Sequence, residues 1–99
     1  MGDEIILTKG MYFQALCDII ASYVEGTYSK HYAAPNGVQS MDLISASGLG
    51  LDFCLGNVLK YASRYGKKDG ANRQDLMKIM HYTLLAINEH DLKESNNET

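Results

Sequence analysis

"NRQDLMKIMHYTLLAINEHDLK", residues 72–93, decides the fold class. Leu76, Ile79, Met80, Thr83, Leu84 and Ile87 recur at i, i+3, i+4, i+7, i+8 and i+11, the period of a helix with one apolar stripe. The spacing predicts a helix over about 72–93, with that stripe against the core and His81 off it, in solvent. Toward the N-terminus, residues 52–65 offer Phe53, Leu55, Val58, Leu59 and Ala62 to a core, with Asp52 as N-cap or first-turn acid. Residues 39–47 read as a short helix presenting Met41, Leu43 and Ile44, broken by "GLGL". Residues 8–25 place Phe13, Leu16, Ile19, Ile20, Tyr23 and Val24 on one face, and Gly26 stands at the expected stop. The stretches between are turn-rich, and no segment reads convincingly as a strand. The expected fold is all-α, with three longer helices and one short one.

Composition bounds the rest. Ninety-nine residues make one domain at most, and a chain this short is marginally stable as a monomer. No apolar run approaches the roughly 20 residues that span a bilayer. The start "MGDEIILTKG" is acidic and only briefly apolar, unlike a secretory signal. Cys17 and Cys54 lie in apolar surroundings without CxxC or HxxxH spacing, so they read as small core residues of a cytosolic protein rather than zinc ligands.

The net charge of −3 hides an asymmetry. Lys60, Arg64, Lys67, Lys68, Arg73 and Lys78 hold six of the nine basic residues, opposed in that stretch by Asp69 and Asp75 alone. The acidic mean argues against general nucleic-acid binding, while the local cluster permits one anionic ligand. In "DFCLGNVLKYASRYGKK", residues 52–68, Asn57, Lys60, Tyr61 and Arg64 share one helical face that carries no acid. Two readings stand side by side. One is a helix with a basic end, favoured by the macrodipole. The other is a phosphate site, with Arg64 as a planar fork, Lys60, Lys67 and Lys68 as point charges, Tyr61 stacking and Asn57 hydrogen-bonding a base or sugar. No GxxxxGK[ST] is present, so no P-loop supports the second.

Residues 29–90 resemble a family of small bacteriophage proteins with a His-Tyr pair, a "DFxxGNxxKYxxRxGKK" block and a last helix opening on Asp-Leu. The matching residues are His31-Tyr32, Asp42 on the short helix, Asp52-Phe53, Gly56-Asn57, Lys60-Tyr61, Arg64, Gly66-Lys67-Lys68, Asp75-Leu76, Lys78 and Tyr82. That family includes a podovirus nucleotide kinase without a P-loop, whose cysteine-rich N-terminal extension has no counterpart here. The resemblance divides the chain into an unmatched N-terminal helix at 1–28, a nucleotide kinase-like helical domain at 29–92 and a polar tail at 93–99.

It implies nucleotide binding through His31, Tyr32, Asn57, Lys60, Tyr61, Arg64, Lys67 and Lys68, in the cytoplasm of an infected bacterial host. Catalysis is open. A kinase would use Mg²⁺, held by Asp52 or Asp75, and a nucleoside triphosphate donor. Two nucleotides need more pocket than one short chain encloses, so a homo-oligomer is expected, with the N-terminal helix as a contact. The alternative is a non-catalytic sponge that sequesters a nucleotide signal of a host anti-phage defence.

Overall fold

The computed structural model describes residues 8–27 and 40–97. They form α1 (Lys9–Thr27), α2 (Ser40–Ala46), α3 (Gly50–Arg64) and α4 (Arg73–Asn97), and no strand occurs among the described residues. The chain is all-α, as its periodicity predicts. His31 and Tyr32 lie outside the described residues.

Local chemistry sets the helix ends. Thr8 caps α1, its Oγ1 accepting from the Met11 N–H at 3.1 Å. Asn72 caps α4 in the same way, Oδ1 accepting from the Gln74 N–H at 2.8 Å. At the far end of α3, Gly66 takes φ 83°, a left-handed conformation that only glycine adopts cheaply. The chain then reverses tightly: the Lys67 N–H donates back to the Arg64 carbonyl at 2.9 Å, and the Gly66 N–H donates forward to the Gly70 carbonyl at 3.0 Å.

That turn makes α3 and α4 an antiparallel hairpin, the main packing unit of the described chain. Arg64 at the end of α3 meets Asp75 at the start of α4. At the other end Glu89 of α4 lies against Gly50, the first residue of α3. A Cβ at Gly50 would stand 2.7 Å from Glu89 Oε2, so a side chain there would push that carboxylate aside. Ser45 donates to Glu89 Oε2 at 2.9 Å and ties α2 to the same end. Between the ends, Tyr61 stacks on Tyr82 with centroids 6.0 Å apart and planes 11° apart, while Phe53 meets Tyr82 edge-on. Cys54 and Ala86, both buried, let the two helices close around these rings. Burial, reinforced by the Glu89 carboxylate, pushes the Cys54 thiol up, so it stays protonated.

The helices exist where periodicity places them, but two of them face elsewhere than expected. On α4, Asp75, Lys78, Ile79, Tyr82, Ala86 and Glu89 turn toward the packed side, while Leu76, Met80, Leu84 and Ile87 of the apolar stripe stay exposed. On α3, Asn57, Tyr61 and Arg64 are drawn inward, and Leu55 and Leu59 point out. An ion pair and an aromatic stack set the register of the hairpin, and they outweigh the apolar count. His81 is likewise not in solvent. It is half-buried, edge-on to Tyr23 of α1 at 5.9 Å, and Tyr23 Oη accepts from Gln74 Nε2 at 3.1 Å, which docks α1 on α4.

Burial pushes the His81 imidazole below its ordinary value. Between that depressed folded value and the ordinary one near ~6.5, the unfolded chain holds more proton, so stability falls as pH falls through the window. The melting midpoint is expected to drop between about pH 7.5 and pH 5.5. His81→Phe keeps a ring beneath Tyr23 and removes the titration, so its midpoint should drop less; parallel pH profiles in thermal melts would show that another group is responsible.

Candidate functional site

The basic residues of the 52–68 block do not form an isolated helix face; they gather at the turn end of the hairpin. Lys60 Nζ lies 5.1 Å from the Tyr61 ring centroid, Arg64 Cζ 5.9 Å and Lys78 Nζ 4.9 Å. A tyrosine ring attracts cations electrostatically, and three around one ring also repel each other. Lys67 and Lys68 follow on the exposed turn. Among the described residues no carboxylate pairs with Lys60, Lys67, Lys68 or Lys78, because Asp69 and Asp75 both go to Arg64.

Arg64 is the link between this cluster and the core. Its Nε lies 3.3 Å from Asp75 Oδ1, and its Nη2 lies 3.5 Å from Asp69 Oδ2. Asp69 reaches it from a left-handed backbone, φ 62°. Asp75 is 1 % exposed, so its charge is tolerable only with Arg64 beside it. The pairing is ionic rather than well aligned: Arg64 Nε makes no hydrogen bond, and Asp75 Oδ2 has no hydrogen-bond partner at all. A buried carboxylate oxygen without a hydrogen bond carries a desolvation cost, which the Arg64 charge offsets.

The other expected site residues are placed as follows. Tyr61 is buried and engaged with Tyr82 and the cations rather than presenting a free ring. Asn57 shares its face, but Nδ2 is spent on the Phe53 carbonyl at 2.9 Å within its own helix. Asp52 and Asp75 are not brought together. Asp52 is in the first turn of α3 and Asp75 is beside its last residue, about 18 Å away along the helix. Of the two carboxylates that could each hold Mg²⁺, Asp75 is committed to Arg64 and Asp52 stands at the opposite end of α3 from the cations, and no group of three or more His, Cys, Asp or Glu suited to a metal occurs among the described residues. Lys78 is the member that the α3 block could not reveal. It stands three residues after Asp75 on α4 and joins the site only because the hairpin closes.

The opposite end of the hairpin has the reverse character. A groove of about 480 Å³ lies there, lined by Ser45, Gly48, Gly50, Leu51, Asp52 and Glu89 among others. Lys93 also lines it, against the two carboxylates Asp52 and Glu89, so it lacks the excess of cations found at the turn end. Among the described residues no helix is long and apolar enough to cross a membrane.

Residues 26–83 match the family described as "Protein of unknown function (DUF3310)". The match spans more than half of the chain, and the chain belongs to this family. It takes in Arg64, Asp75, Tyr61 and Tyr82, leaves most of α1 outside, and stops short of Glu89. No curated protein and no solved structure matches the chain significantly.

Removing Arg64 leaves the Asp75 charge buried and uncompensated. Arg64→Ala should cost about 3 kcal/mol, the low end for a broken buried pair because Arg64 is itself a quarter exposed. Asp75→Ala should cost less, since Arg64 can then turn to water, and the double variant should recover part of the loss. Urea denaturation of the three proteins measures this; additive losses would show that the pair is not coupled.

Proposed function

We propose that the chain binds a nucleotide through its phosphates at the turn end of the α3–α4 hairpin. The carrying observation is the gathering of Lys60, Arg64 and Lys78 around one tyrosine ring, beside the two further lysines of the turn. A phosphate neutralises the mutual repulsion of the cations. Arg64 is held in place from behind by Asp75, so its outward guanidinium nitrogens are oriented before the ligand arrives. The resemblance of the "DFxxGNxxKYxxRxGKK" block to a phage nucleotide kinase supports a nucleotide over a simple oxyanion.

Asp75 is committed to Arg64 and Asp52 lies about 18 Å away along α3, so neither carboxylate is both free and beside the cations to hold Mg²⁺, which favours holding the nucleotide over transferring its phosphate. In a bacteriophage, such a protein suits the sequestration of a nucleotide signal.

Calorimetric titration with nucleoside mono-, di- and triphosphates tests this. Binding should weaken steeply with salt. Lys78→Ala, which removes a cation without touching the Arg64–Asp75 pair, should weaken it by about ten- to a hundredfold. The nucleotide released by digesting the protein should be unaltered, and no diphosphate should form from a monophosphate and a triphosphate with Mg²⁺. Absence of binding at 100 μM protein (about −5.5 kcal/mol) would refute the reading, and diphosphate formation would replace sequestration by phosphoryl transfer.

A further inference from the structure

The outer face of α4 is unpartnered and apolar. Leu76, Met80, Leu84 and Ile87 are between 41 and 53 % exposed, whereas Cys54, Tyr61 and Ala86 are the buried apolar residues among those described.

The charges at the ends of the stripe identify the occupant. Arg73, Met80, Leu84 and Asp91 lie at i, i+7, i+11 and i+18, all within about 20° of one line along the helix. Their spacings, seven, four and seven, read the same in both directions. Arg73 and Asp91 are both exposed, and neither has an ion-pair partner among the described residues. Within one chain Arg73 is even misplaced, since a cation in the first turn opposes the helix dipole.

We infer that α4 pairs antiparallel with α4 of a second copy of this chain about a two-fold axis level with residue 82. A two-fold contact requires a self-complementary surface, and the 7-4-7 spacing supplies one. Met80 meets the partner's Leu84 and Leu84 meets the partner's Met80. Arg73 of each copy meets the partner's Asp91, and Leu76 and Ile87 flank the seam. The antiparallel arrangement also brings the basic turn end of one hairpin beside the acidic end of the other, which adds long-range attraction. The residues of the seam are outside the proposed nucleotide site, so the inference stands or falls apart from that reading.

Charge exchange tests it on the full-length chain. Arg73→Glu improves the match to the helix dipole and Asp91→Lys exchanges an exposed residue within the helix, so neither should harm the fold. In sedimentation velocity the wild type should be a dimer at micromolar concentration. Each single reversal places like charges at two symmetric points and should weaken dimerisation by about tenfold. The double variant restores both pairs with exchanged signs and should return to within about threefold of the wild type. Leu84→Asp, checked for helicity by circular dichroism, should be monomeric. A wild type that is monomeric at 200 μM (about −5 kcal/mol), reversals without effect, or a double variant as weak as the singles would each overturn the inference.

Discussion

A carboxylate that is 1 % exposed cannot stand alone, and the α3–α4 hairpin is arranged so that Asp75 does not. Arg64 reaches it from the last turn of α3, which fixes the register of the two helices. With that register set, Tyr61 falls on Tyr82, and Glu89 falls on Gly50, where no side chain obstructs it. The left-handed Gly66 gives the turn its tight reversal. Each of these contacts is weak evidence for stability by itself. Together they determine which face of each helix is covered.

The same register segregates charge. Cations from α3, the turn and α4 collect at one end, with Arg64 joining them to the core through Asp75. Asp52 and Glu89 collect at the other. A site built this way holds its charges in place without a phosphate loop. The ion pair thus serves the fold and orients a ligand group at once, which makes Arg64 a poor residue for separating binding from stability and Lys78 a good one.

Much of the fold was legible in the sequence. Apolar periodicity and "GLGL" mark four helices close to their observed spans, although α1 runs through Gly26, the expected stop, to Thr27. The facing of α3 and α4 was not legible, because periodicity shows that a stripe exists and not what covers it. Leu76, Met80, Leu84 and Ile87 form the cleanest stripe in the chain, yet they face away from α3 and stay exposed. The packed side of α4 instead reads as polar, with Asp75, Lys78 and Glu89 interleaved with Tyr82 and Ala86. Of the candidate site, Lys60, Arg64, Lys67 and Lys68 could be read from one helix and its turn. Lys78 could not, since nothing along the chain reveals that residues 61 and 78 meet until the hairpin is closed.

The central claim is that the turn end of the hairpin, and no other surface, receives a nucleotide phosphate. Titrating ¹⁵N-labelled protein with a nucleoside triphosphate and following its amide resonances tests this most directly. The account predicts saturable shifts centred on Lys60, Arg64, Lys67, Lys68 and Lys78, with Ser45, Gly50 and Glu89 unmoved. Shifts confined to the Glu89 groove, or none on the turn at saturating ligand, would contradict it.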